Sequence, residues 1–453
     1  MTIKKDYAVQ ITEGVIWKQL LAFFFPIMIG SFFQQLYNTV DTVIVGQFVG
    51  KEALAAVGGS SAQIVNLVVG FFTGLSSGAS VIIAHFFGAD DRKSVIKAVH
   101  NAYLLAAAGG VILSVAGILL TPSMLSWMHT PAEIMDDAVL YLQIYFGAIV
   151  FNFIYNMGSS IMRAAGDSKT PPYCLIICCF INIGLDVLLV GVWRKGVFGA
   201  AAATFLSQAL SGVLVTLFLV SDKGALHLSC KEIRFSGSIL ASQLRMGFPT
   251  ALESILFAIT NIAIQAVLNT FGTDTVAAWS AFGKMDAVFW MVSTSFGIAI
   301  TSFAGQNYGA GRLDRVRKST AICLLMDFCI SSIIVITLIL FRIPLFGLFT
   351  ADQNVIEIGS WMVLEITPWY IVYIFIEILA GSLRGEGDVM IPLFITLFGI
   401  CLLRIIWLEG AMILSPTIQT IIFSYPVTWL FTAVIFILYY LKKVILENKK
   451  KTR

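Results

Sequence analysis

Apolar residues run along this chain in blocks, each close to the length that crosses a bilayer. A helix needs roughly 20 apolar residues to traverse the hydrocarbon layer. Runs of that order occupy about residues 16–40, 55–85, 96–120, 134–160, 172–192, 198–220, 245–270, 276–303, 320–341, 361–383, 391–412 and 418–441, with short charged or Pro/Gly-containing breaks between them. Only helices and closed barrels satisfy their backbone in lipid, and blocks this long are helical. The pattern predicts an all-α polytopic membrane protein with twelve transmembrane helices. The first run carries Gln34, Gln35, Asn38 and Asp41 and shows no small-residue cleavage site, so it reads as a retained helix rather than a signal peptide.

The pattern repeats. Gly88-Ala89 match Gly309-Ala310, and Arg163, Gly166, Asp167 and Pro171 match Arg384, Gly387, Asp388 and Pro392, all at an offset of about 221; Phe25-Pro26 match Phe248-Pro249 two residues further on. One register held over that distance predicts two pseudo-symmetric six-helix bundles. Six crossings per half send both halves into the membrane in the same sense, related by an axis along its normal, with a cavity between them. The extended polar stretch near the middle sets the expected boundaries: an N-lobe over 1–222, a cytoplasmic linker over 223–244 (Lys223, His227, Lys231, Glu232, Arg234), a C-lobe over 245–441 and a basic tail over 442–453.

Composition and charge narrow the picture. With 58% hydrophobic and 12% charged residues, there is too little polar surface to cover a water-soluble fold of 453 residues. Of the 29 Lys and Arg, only Lys51, Arg194, Lys195 and Arg342 fall on one side of the predicted membrane, and Lys284 and Arg404 fall inside spans. The remainder lie on the side of the termini. That bias predicts cytoplasmic N- and C-termini in a bacterial-type inner membrane. A net charge of +3 fits loops facing anionic lipid and implies no nucleic-acid partner. The cysteines lack CxxC pairs or neighbouring His and read as small core residues. His85, His100, His129 and His227 are isolated near span ends. No GxSxG, HExxH or P-loop is present, so the chain is not expected to be an enzyme and needs no cofactor. The Arg-x-x-Gly-Asp segments after spans four and ten read as turns, in which Gly and Pro shape the backbone and Arg and Asp cap helix ends or pair with each other.

Ionisable groups inside a bilayer are costly and mark function unless paired. Gln34, Asn38 and Asp41 lie at i, i+4, i+7 on one face of the first span, with Pro26 upstream making a bend in that helix. Asn182 and Asp186 share a face of span five, Asn152 and Asn156 a face of span four, and Thr204 adds a hydroxyl on span six. Convergence of these faces would put two carboxylates in one water-poor pocket that holds a proton or a sodium ion; an oxygen-only set gives a transition metal no soft ligand. The alternatives are that Asp41 merely ends its helix and that Asp186 pairs with Arg194 or Lys195. The acids are not duplicated, because the register sets Ile264 and Trp407 near their positions. The second half has instead Glu253, Lys284, Asp286, Glu365 and Glu377. Lys284 could neutralise one of these acids, and a structural ion pair and an ion site remain equal alternatives there.

PIMIGSFFQQLYNTVDTVIVGQFVGKEALAAVG from Pro26, MRAAGDSKTP from Met162, NIGLDVLLV from Asn182, GQNYGAGR from Gly305 and LRGEGDVMIP from Leu383 resemble the multidrug and toxic compound extrusion (MATE) family, over essentially all twelve spans. The resemblance implies two six-helix bundles in a V, alternating access, and antiport of small amphipathic or cationic organic compounds against H+ or Na+. Residue by residue it implies a coupling-ion site at Asp41, Asn182, Asp186 and Thr204, a cavity lined by Gln34, Tyr37, Asn38, Asn152 and Asn156, and a hinge at Pro26. Glu253, Lys284, Asp286 and Glu377 stand as secondary candidates. The expected partners are small amphipathic compounds and membrane lipid, with the chain a monomer. A lipid-linked saccharide flippase of the same superfamily and an ion channel are the alternative functions.

Overall fold

The structure is a computed structural model that describes residues 11–222, 224–229 and 236–451. Lys4, Lys5, Lys223, Lys231, Glu232 and Arg234, used above for orientation and for the linker, lie outside the described residues. Twelve helices are long and apolar enough to cross a membrane: Ile16–Phe48, Lys51–Gly88, Arg92–Trp127, Ala132–Ala164, Thr170–Val192 and Gly196–Ser221 in the first half, then Gly237–Phe271, Thr273–Gly309, Leu313–Leu340, Gln353–Gly385, Met390–Leu414 and Ile418–Leu446. They are called spans one to twelve below. Among the described residues there is no strand. Every apolar run corresponds to one span, and most helices overshoot their run because polar residues outside the hydrocarbon continue them. Leu119, Leu217, Ile333 and Leu438 are among many large apolar side chains left exposed, as a lipid-facing surface requires.

The helix ends follow local chemistry. Asp91 caps span three, accepting from the Ser94 backbone N–H at 3.1 Å. Hydrogen bonds from Ser94, from its hydroxyl and then its backbone, hold the Asp91 carboxyl below the usual carboxylate range. A depressed folded-state value means that this stabilisation is present at neutral pH and is lost as pH falls through it. Replacing Asp91 with Ala should cost about 1 kcal/mol of stability. Thermal melts at pH 7 would show the loss, and the difference from the parent chain should shrink at low pH.

Both turn segments place glycine where the backbone demands it, Gly166 at φ 93° and Gly387 at φ 88°. Asp167 then caps span five, accepting from the Thr170 N–H at 3.0 Å and its hydroxyl at 2.7 Å. The Arg–Asp pairing expected within these segments does not form. Arg163 donates to Ser160 Oγ at 2.9 Å, and Asp388 takes the Tyr439 hydroxyl and Lys443 instead. Side chains in the last turn of a helix lean back along it, while the turn throws the aspartate forward.

The chain divides into two compact units. One covers Leu21–Leu252, and the other joins Thr12–Leu20 to the chain from Glu253 onward. The division thus falls inside span seven, and residues 237–244 of the expected linker are helical. Ser236, Ser238, Ser242 and Gln243 break the apolar pattern without breaking the helix, because they are bonded: Gln243 Nε2 donates to the Ala98 carbonyl at 2.8 Å and the Ser236 N–H to Asn101 Oδ1 at 3.0 Å. In the first unit, spans two and seven cross at Gly74 and Gly78, where a Cβ would collide with the backbone of Ala251 and Gly247. The Phe72 and Phe153 rings stack at 4.2 Å beside that crossing. In the second unit, the start of span one is held by Arg315, which donates to the Gly14 carbonyl at 2.9 Å and to Gln19 Oε1 at 2.6 Å. Its core centres on Phe289 and Tyr370, stacked at 4.0 Å.

Candidate functional site

Three helices of the first unit bring the polar faces together. Span one supplies Asp41, span five Asn182 and Asp186, and span six Thr204, and all four side chains are buried. Span five turns π-helical over Val187–Val192, immediately after Asp186. Such turns open the i→i+4 ladder and recur at functional sites. Asp41 and Asp186 lie within electrostatic reach of one another. Neither alternative reading of the acids holds: Asp41 sits inside its helix rather than at its end, and Asp186 forms no ion pair with Arg194 or Lys195.

The hydrogen-bond inventory of this cluster is incomplete. Asp41 Oδ1, both carboxylate oxygens of Asp186 and both polar atoms of the Asn182 amide are buried without a hydrogen-bond partner. Buried polar groups are nearly always satisfied, and a carboxylate left bare in a low-dielectric site is especially costly. A proton on one acid, or a hard monovalent cation among the oxygens, removes that cost. The donor set is oxygen-rich with no thiolate or imidazole, and no group of three or more His, Cys, Asp or Glu suited to a metal exists among the described residues.

Tyr37 joins this cluster to a cavity. Its hydroxyl donates to Thr204 Oγ1 at 3.4 Å, and its ring lies within electrostatic reach of both Asp41 and Asp186. The same tyrosine lines a cavity of about 60 Å³ within the first unit, together with Gln34, Asn152, Asn156, Tyr155 and Gln208. Asn156 Nδ2 donates to Asn152 Oδ1 at 2.9 Å, which fixes both amides on the cavity wall. Asn38 is the exception among the expected lining residues. It is exposed and absent from the wall, because its position is turned by about 40° from Gln34 around the helix. Tyr141 also stands beside the acids, with the Tyr145 ring 6.3 Å from its own, and nothing in the sequence set them apart from other aromatic residues of an apolar span.

In the second unit the ionisable residues are accounted for differently. Arg384, not Lys284, neutralises the acids: its guanidinium reaches Glu253 at 3.2 Å and Glu377 at 3.7 Å. Lys284 is exposed. A lysine one helical turn from a core position swings its long stem outward, whereas the guanidinium fork spans two carboxylates. Asp286 accepts from Trp290 Nε1 at 2.8 Å and from the Tyr370 hydroxyl at 3.2 Å. Asp327 on span nine, not singled out from the sequence, accepts from Ser331 at 2.8 Å and Ser293 at 3.3 Å. Its signal was available, a lone carboxylate in an apolar run with serine at i+4. Each of these acids has a donor, unlike Asp186.

The sequence model of the MatE family matches this chain twice, over residues 26–188 and again over 249–408. The probable multidrug resistance protein YoeA of Bacillus subtilis is 28% identical over 393 residues, covering 85% of this chain and 84% of its own length. A protein of Shewanella oneidensis named as an FAD transporter is 26% identical over 447 residues and 96% of each chain. Among solved structures, a MOP superfamily transporter from Pyrococcus furiosus superposes with a TM-score of 0.91 over 97% of this chain and 98% of its own, at 22% identity.

Proposed function

The chain belongs to the MatE family of multi-pass membrane transporters, and from that premise we propose that it is a secondary active antiporter exporting small amphipathic organic compounds in exchange for H+ or Na+. The reading rests on one observation above the others: among the described residues, Asp41 and Asp186 are the buried carboxylates with unpartnered oxygens, and they adjoin a cavity through Tyr37. A site that must take up a positive charge, placed against a cavity lined by amides and phenols, is the arrangement antiport needs. Ion loading changes the charge beside the cavity, so substrate affinity differs between the loaded and empty states. Pro26 removes the backbone bond that would reach Ala22, which leaves span one free to bend there as the ion comes and goes. The excess of basic residues on the side of the termini supports cytoplasmic N- and C-termini in a bacterial-type inner membrane.

Cargo chemistry follows the walls. Amide and phenol groups at Gln34, Asn152, Asn156 and Tyr37 hydrogen-bond a polar substituent, while Phe33 and Leu175 accept an apolar ring. A full-length relative named for drug resistance and another named for FAD bracket the range to be tried. The test is substrate efflux from proteoliposomes under separately imposed proton and sodium gradients. One gradient should drive saturable efflux and the other should not. Flux that neither saturates nor responds to a counter-gradient would mark a channel, and transport confined to lipid-linked saccharides would mark a flippase.

A further inference from the structure

Span eleven carries, at the repeat position where span five has its acid site, the opposite charge. The repeat register of about 221 residues sets Arg404 opposite Ile183, next to Asn182. Span eleven is π-helical over Leu397–Leu402, just before Arg404, and a π turn takes in one residue more than an α turn. That extra residue carries Arg404 onto the position that Asn182 holds in the first unit.

The guanidinium is 3% exposed. It lies over the Tyr425 ring at 4.1 Å and near the Trp429 ring at 5.9 Å, and it donates from Nη2 to Thr428 Oγ1 at 2.8 Å. No acid pairs with it among the described residues, and its Nε is buried without a partner. A buried arginine is ordinarily paired with a carboxylate, and here two aromatic faces and one hydroxyl stand in that place. The ring faces favour the cation and Thr428 takes one Nη2 hydrogen, but Nε on the same edge is left without a partner. That edge is the part of arginine that grips a carboxylate or phosphate at two points. Trp290 and Trp279 extend the aromatic surface to the margin of the cluster, where both are only partly buried.

We infer that Arg404, with Tyr425, Trp429 and Trp290, forms an anion-accepting site in the second unit for planar aromatic compounds bearing a carboxylate or phosphate. The inference rests on the transporter reading above and extends its cargo to aromatic anions. Trp290, the partly buried ring at the margin, takes the substrate's ring and the guanidinium edge takes the anion.

The test compares flavin mononucleotide with riboflavin, which has the same ring system and no phosphate, by equilibrium dialysis against the purified full-length chain in lipid nanodiscs with no ion gradient. The parent chain should bind flavin mononucleotide at least about tenfold more tightly than riboflavin. Arg404→Gln should bring the two to within about twofold while leaving riboflavin unchanged. Arg404→Lys, measured beside it in case the glutamine variant does not fold, keeps the charge without the fork and should reduce the preference by at least about threefold. Equal affinity for the two flavins in the parent chain, or an undiminished preference in either folded variant, overturns the site. Gradient-driven efflux of a cationic dye is measured separately. Its loss with the flavin preference intact would count against the coupling reading alone, and its retention with the preference absent would count against the anion site alone.

Discussion

Asp41→Asn should abolish gradient-driven efflux, lowering it by about 100-fold, while the variant remains folded and binds substrate. Asparagine keeps the volume of the side chain and an oxygen acceptor but holds no exchangeable proton and no full charge for a cation. Coupling requires that ion and substrate each discriminate between two states, and a site that is neutral in both no longer discriminates. The bare oxygens predict the sign of the stability change. In the parent chain two carboxylates share one low-dielectric cluster without donors, so the neutral amide should leave the melting temperature unchanged or raise it. Asp186→Asn should behave alike, and the double variant should be no worse than either, because the two acids serve a single ion. The measurement is efflux of a cationic dye from proteoliposomes under the driving gradient, with dye binding measured in its absence. Full gradient-driven efflux in Asp41→Asn would overturn the ion-site assignment.

What the sequence made legible divides along a physical line. The twelve spans, the duplication and the convergence of Asp41, Asn182, Asp186 and Thr204 could all be read, because each is a property of one helix face set against the lipid period. A polar face on a membrane helix has nowhere to go but inward, so three such faces in one half meet. Partnerships across helices carry no such signature. Arg384 lies far in sequence from Glu253, and nothing local distinguishes it from Lys284 as the neutralising base. Tyr141 was hidden for the opposite reason, since an aromatic ring is at home both in lipid and against a buried acid. Asn38 shows the limit of face arguments: a turn of about 40° from Gln34 is enough to take an amide off the cavity wall.

The repeat itself shows how one scaffold came to hold two charge arrangements, and it leads to the second large effect. Arg163 and Arg384 occupy the same repeat position, but the register partners of Glu253 and Glu377 are Gly30 and Asn156. In the first unit the arginine is left with Ser160, and the space that an acid would take adjoins the amide-lined cavity. In the second, the guanidinium clamps two carboxylates whose side chains are 11% and 18% exposed, and Tyr373 adds a hydroxyl to Glu377 at 3.4 Å. Removing the base from such a cluster strands two acids that its positive charge had held together.

Arg384→Ala should therefore destabilise the chain by about 3–5 kcal/mol, less whatever is recovered when one acid takes up a proton. Arg163→Ala, which breaks one hydrogen bond to a serine, should cost about 1 kcal/mol. The decisive comparison is Arg384→Ala combined with Glu253→Gln and Glu377→Gln. Neutral amides do not repel one another, and they can bond across the gap. If the ion cluster is structural, the triple variant should regain at least half of the lost melting temperature in nanodiscs and keep gradient-driven efflux. Regained stability with efflux lost would instead make the two acids part of the transport cycle, and a triple variant as unstable as Arg384→Ala would show that packing of the arginine, rather than its charge, holds spans seven and ten together.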